Sequence, residues 1–152
     1  MNNDSYGTTV IPIIRTREEF DGLKRQAIDG EPKLQCAVAD ICSDDSRTEF
    51  YNLSEAAYWY EKAAALGHTR AQWLLGVCYL EGIGVDQNSE QAEFWLLKSA
   101  DSGNADGQFT LGGYYFMKPD IVKTEYWVKK AASQGHEDAI KMLTAIKHLL
   151  KI

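Results

Sequence analysis

Ala71, Leu74, Leu75 and Cys78 fall at spacings of three and four residues and share one helical face, which predicts that this face meets a paired helix. Arg70, Trp73, Val77 and Leu80 lie on a neighbouring stripe of the same helix. Further along and further back, the phasing remains helical. Thr16-Arg17-Glu18-Glu19 reads as a capping box that opens a helix running to about Ile28, with Phe20 and Leu23 inward and a stop at Gly30. Pro32 suits the first turn of the next helix, where its missing N–H is not needed. Asn52-Leu53-Ser54-Glu55 and Asn88-Ser89-Glu90-Gln91 both read as capping boxes with asparagine as the cap, and Ser43–Arg47 as a loop. A last helix from about Glu137 carries lysines late, as a solvent-facing cap should. The pattern predicts eight helices and no strand.

These elements repeat. Gly67, Ala71, Gln72, Leu75-Gly76 and Tyr79 return as Gly103, Gly107, Gln108, Leu111-Gly112 and Tyr115, a shift of 36 residues (103 − 67). Tyr58-Trp59 with Lys62-Ala63-Ala64 matches Phe94-Trp95 with Lys98-Ser99-Ala100 at the same shift. A weaker earlier unit keeps Gly30, Gln35, Val38 and Ala39 in register, and a later one places Lys118-Pro119-Asp120 where Gly82-Ile83-Gly84-Val85-Asp86 would stand. A period of this size means stacked supersecondary units, each meeting mainly its neighbours. Trp59, Trp95 and Trp127 sit beside Ala63-Ala64, Ser99-Ala100 and Ala131-Ala132, large rings against small side chains, and are read as architecture. Gly76 and Gly112 imply close helix approach, because mid-helix glycine costs about 1 kcal/mol relative to alanine.

The run Ala71, Leu75-Gly76, Tyr79, Gly82-Ile83-Gly84-Val85, Ala92, Trp95, Lys98, Ala100 and Gly103 resembles the Sel-1-like repeat, a relative of the tetratricopeptide repeat with a glycine-rich turn between its helices. The resemblance covers roughly residues 31–147, nearly complete in the middle unit and partial in the outer two. It implies an all-α fold: a right-handed α-α superhelix, or solenoid, of about three helix-turn-helix units with flanking capping helices. The expected organisation is an extended lead-in over 1–15, then one domain over 16–152 with units near 31–67, 68–103 and 104–135 and a capping helix at 136–152. The resemblance also implies an adaptor or scaffold role. Small bacterial members of that family include partners and inhibitors of toxins.

Composition narrows the function classes. Hydrophobic content of 45% and charged content of 25% are ordinary globular values. The net charge of −6 argues against nucleic-acid phosphate and anionic membrane as partners, and suits a basic protein instead. The segment Met1–Asp4 lacks the basic region of a signal peptide, and Val10–Ile14 is too short to span a membrane, so the expectation is a cytoplasmic protein. Cys36, Cys42 and Cys78 show no paired or metal-ligand spacing and read as small buried hydrophobes. His68 and His136 follow helix-ending glycines, which suits a helix start better than catalysis. No residue nominates itself for catalysis, and no cofactor or metal is expected. Gly82-Ile83-Gly84 joins two helices, the wrong context for a nucleotide fingerprint.

Adding one repeat to the stripe of Arg70, Trp73 and Val77 gives Asp106, Phe109, Gly113 and Phe116. In the family that this chain resembles, the stripe tends to line the concave surface. The candidate partner-binding residues are therefore Trp73, Phe109, Phe116, Arg70, Asp106 and Val77, with the two aromatics at equivalent positions as anchors. A competing reading packs Trp73 and Phe109 between neighbouring units. Three functions stand open: a non-catalytic module binding a partner protein, including a bacterial regulator or toxin-neutralising protein; a self-assembling scaffold subunit, favoured by unfilled apolar ends at Val10–Ile14 and Leu149-Leu150-Ile152; and an enzyme with an unrecognised site.

Overall fold

A computed structural model describes residues 13–150, with side chains to residue 148. The first twelve residues of the lead-in, most of the Val10–Ile14 run and the side chains of Leu149, Leu150 and Ile152 lie outside the described residues. Within them are eight helices: α1 (Arg17–Ile28), α2 (Pro32–Ser43), α3 (Leu53–Ala65), α4 (Thr69–Glu81), α5 (Ser89–Asp101), α6 (Ala105–Met117), α7 (Ile121–Ser133) and α8 (Glu137–Leu150).

The starts are set by short polar side chains. Thr16 Oγ1 accepts from Glu19 N at 3.2 Å while the Glu19 carboxylate accepts from Thr16 N at 3.0 Å, so the capping box is complete. At Asn52 and Asn88 the expected boxes are half formed. Each asparagine oxygen caps its helix, accepting from Glu55 N at 3.0 Å and Gln91 N at 3.0 Å. The reciprocal arm is superseded, because the Asn52 and Asn88 backbone amides donate to Cys42 O and Tyr79 O of the preceding helices. Those bonds tie the second helix of a unit to the first.

Each helix packs on its sequence neighbours, most extensively within α2/α3, α4/α5 and α6/α7. Glycine makes the close pairing possible. A Cβ on Gly76 would stand 2.7 Å from Leu96 Cγ and 3.2 Å from Leu96 N, so α4 and α5 meet at a distance only a bare backbone allows. Gly112 plays the same part against Val128 of α7. Across unit boundaries α4 also packs directly on α6. Following the solenoid resemblance, the side on which α4 meets α6 is called the inner side, and that of α3, α5 and α7 the outer side.

The core divides into three clusters. The largest runs from Ile14 and Phe20 through Val38, Phe50 and Trp59 to Leu75 and Cys78. A second gathers Leu96, Leu111, Tyr114, Tyr115 and Trp127. The third is built on Val128, Ala131 and Ala139. The repeated tryptophans are interior or half-buried, as architecture requires.

Candidate functional site

The six predicted contact residues lie on first helices of consecutive units, Arg70, Trp73 and Val77 on α4 and Asp106, Phe109 and Phe116 on α6. Their environments differ. Trp73 is half-buried, and its indole Nε1 donates to Thr110 Oγ1 of the next unit at 2.9 Å. Phe109, also half-buried, faces the His136 ring at a centroid distance of 4.6 Å. The two rings do not stack on each other; each leans on the following unit. Aromatic mass at the start of a unit is drawn into the boundary because that burial is worth more than exposure on a rim. Val77 is half-buried, and Phe116 is 51% exposed.

The polar members are organised. Arg70 Nη1 donates to Asp40 Oδ2 at 2.7 Å and to Cys36 Sγ at 3.3 Å. Tyr60 OH donates to the other Asp40 oxygen at 2.8 Å and lies 3.2 Å from Ser43 Oγ. Burial works against the Arg70 charge, but the hydrogen bond and ion pair with Asp40 more than offset it and hold the guanidinium protonated. Burial chiefly pushes the Tyr60 phenol up, with Asp40 adding to it. Such a network fixes the guanidinium in place while half its side-chain surface faces solvent. On α6, Asp106 Oδ1 lies 3.3 Å from His136 Nε2. Lys141 pairs with Asp138 on its own helix at 3.0 Å.

His68 and His136 both serve helix starts. His68 Nδ1 accepts from Ala71 N at 3.2 Å, and His136 Nδ1 accepts from Ala139 N at 3.3 Å. Burial first, and then the Arg70 charge, holds His68 below its ordinary pKa, which keeps the accepting nitrogen bare. The three cysteines are buried thiols. Burial, with Asp40 adding to it, pushes Cys36 up to about 11; burial raises Cys42 to about 12 and Cys78 to about 11.

Two polar features carry no role in the sequence reading. Gln35, Gln72 and Gln108 each donate through Nε2 to the carbonyl eight residues back, Ala27 O, Ala64 O and Ala100 O, closing the end of the preceding helix. Their recurrence in the repeat register was the available signal. The oxygens of Gln35 and Gln72 find no partner among the described residues, whereas Gln108 Oε1 accepts from Gln134 Nε2 at 2.8 Å. Glu93 accepts from Tyr115 OH at 2.7 Å and Tyr114 OH at 3.0 Å. Burial raises its pKa, but these hydrogen bonds and Lys118 outweigh burial and leave it lowered. Of that cluster only Tyr115 repeats at the 36-residue shift, as the counterpart of Tyr79; Glu93 and Tyr114 do not.

Surface hollows lie elsewhere. One of about 280 Å³ is lined by Ile13, Ile14, Glu19, Gly22, Leu23 and Gln26, with Glu19 already spent on its cap. Another, about 470 Å³ and open, lies at Ser54, Gly82, Gly84, Val85 and Asp86. Gly84 is obligatory there: its φ is +71°, and an added Cβ would collide with the Leu53 carbonyl. No helix among the described residues is long and apolar enough to cross a membrane.

Comparison with known proteins gives concordant matches. The Sel1 repeat model matches residues 35–68, 69–104 and 105–136. Among solved structures, a protective antigen present in uropathogenic Escherichia coli strains, displaying an SLR fold, superposes over 84% of this chain with a TM-score of 0.77 and 27% identity. The chain spans 28% of that antigen's length. A Sel1 repeat protein from Oxalobacter formigenes gives a TM-score of 0.71 and 32% identity, covering 84% of this chain and 98% of that one. No curated protein matches the sequence significantly.

Proposed function

The chain belongs to the Sel1 repeat family, whose members are generally protein–protein interaction modules, and on that premise we propose that it binds a partner protein through its inner face without performing catalysis. This reading is supported by Arg70 on α4, held by Asp40 at 2.7 Å, and by the exposed ring of Phe116 on α6, the first helix of the next unit. A fixed, half-exposed guanidinium and a solvent-facing aromatic are the residue types on which binding energy concentrates. Trp73 and Phe109 then act chiefly by stiffening the groove from within the boundaries, with their outer edges, Val77 and Asp106 completing the lining.

The charge of −6 supports a basic docking face on the partner, because complementary fields speed encounter. A toxin-neutralising or regulatory role fits that preference. The test is affinity capture from the host lysate with wild type beside an Arg70→Ala/Phe116→Ala variant, folding being checked by circular dichroism. A partner held by wild type and lost by the folded variant supports the inner face. Equal recovery by both sinks the assignment.

A further inference from the structure

The outer side of the solenoid carries a second repeated feature that packing alone does not require. Tyr58 on α3, Phe94 on α5 and Tyr126 on α7 occupy the same register, one per unit, and are 51%, 47% and 51% exposed. Each stands nearly perpendicular to the tryptophan that follows it, at centroid distances of 5.4, 5.0 and 4.9 Å. Four residues on, Lys62, Lys98 and Lys130 place their ammonium groups over these rings at 5.3, 4.7 and 4.7 Å. Lys98 and Lys130 also reach the rings of Trp95 and Trp127.

The lysines are also distinguished by what they do not touch. Lys24, Lys118, Lys123, Lys129 and Lys141 each pair with a carboxylate. Lys62, Lys98 and Lys130 make no such pair among the described residues, although the chain has 22 acidic residues to 16 basic ones. Glu125, the acid nearest in sequence to the α7 rung, is taken by Lys129 at 2.6 Å. A lysine over an aromatic ring keeps its full charge and loses side-chain freedom, so its ammonium is pre-positioned for an anion.

We propose that the ladder of Tyr58/Lys62, Phe94/Lys98 and Tyr126/Lys130 is a docking surface for an extended acidic segment of a partner protein, with carboxylates on the ammonium groups and aliphatic side chains against the exposed ring edges. The rings have one face under a lysine, which disfavours stacking of nucleobases. Three cations on an otherwise acidic molecule are too few for a polyanion track. The rungs recur once per unit, so an extended segment crossing α3, α5 and α7 would meet them in turn. This surface shares no residue with the inner face.

The test uses fluorescence anisotropy with labelled (Asp-Leu-Ser)3, (Lys-Leu-Ser)3 and (Asp-Ser-Ser)3 peptides. Expected are saturable binding of the first, at least fivefold weaker binding of the third, and none of the second. A Lys62→Gln/Lys98→Gln/Lys130→Gln variant, which keeps most of each stem, should bind the first peptide about tenfold more weakly. No saturable binding by wild type, equal binding of the acidic and basic peptides, or an unaffected folded variant would each overturn the proposal. If the variant unfolds, the comparison of the three peptides on wild type decides alone. Displacement of the peptide by a 15-nucleotide single strand at lower concentration, or by phosphatidylserine vesicles, would reassign the ladder to general anions. Self-association of wild type that the variant abolishes would reassign it to a second copy of this chain.

Discussion

Replacing Gly76 by alanine tests the close approach of α4 and α5. A Cβ there stands 2.7 Å from Leu96 Cγ, 2.8 Å from Leu96 Cδ2 and 3.2 Å from Leu96 N. Leu96 is completely buried, so its side chain has no solvent to retreat into, and the backbone contact requires α5 itself to shift. Overpacking of this kind costs about 1–3 kcal/mol, set against about 1 kcal/mol gained in helix propensity. Gly113→Ala supplies the control. It lies within α6, where an added Cβ meets nothing within 4 Å, so it should only gain. Because the propensity gain is common to both, the difference between the variants isolates the clash at roughly 1–3 kcal/mol. Urea unfolding followed by circular dichroism reads it directly, and thermal midpoints should separate by about 2–4 °C per kcal/mol for a chain of this length. Adding Leu96→Ala to Gly76→Ala should cost less than the sum of the single effects, since the cavity receives the new methyl. Gly76→Ala as stable as Gly113→Ala would refute the account of how the helices pair.

His68→Ala should cost about 1 kcal/mol through loss of the helix cap, whereas His68→Asn should be near neutral at pH 7.5, since Asn104 caps α6 in the same way. The pKa of His68 is held below its ordinary value of 6.5, so the folded protein takes up this proton less readily than the unfolded chain. Its stabilising contribution is present above about pH 6.5 and is lost as pH falls below it; His68→Asn should remove that part of the slope between pH 7.5 and 5, and an unchanged slope would exclude the residue as its source. All three thiols are buried and raised, so the native protein at pH 8 should react with a disulfide reagent only at the rate at which it opens, and fast labelling of any one would contradict its placement.

Architecture was readable because the features that build it recur. Trp59, Trp95 and Trp127 stand one in each of three units, and the glycines at 76 and 112 and the caps Asn52 and Asn88 in two of them, so their spacing states the geometry. The capping boxes at Asn52 and Asn88 are only half formed for a physical reason: the local pattern does not reveal that their backbone amides are claimed by the preceding helix. The same limit governs the surface. Spacing places Trp73 and Phe109 on the inner stripe but does not show that each turns toward the next unit, where Thr110 and His136 receive it. The contacts of Glu93 with Tyr114 and Tyr115 emerge only when helices are brought together, because Glu93 and Tyr114 stand outside the 36-residue repeat. Conversely, the aromatic–lysine pairs were visible as a repeat, but only their exposure distinguishes them from core.

The unequal division of the core has a consequence for how the molecule comes apart. In a linear array each unit is held by its own cohesion and by its contacts with neighbours, so opening can begin at an end and travel inward. The amino-terminal cluster joins α1 through α4 into one apolar mass, whereas α8 is held chiefly by Ala139 against Val128 and Ala131, with Phe109, Met142 and Leu143 around them. Amide exchange should therefore be graded, fastest in α8 and α7 and slowest near Val38 and Leu75. A pulling force or a protease working from the carboxyl terminus meets the weakest layer first. The unfastening runs like a zip, and the Arg70–Asp40 end of the groove keeps its shape after the Phe116 end has begun to open.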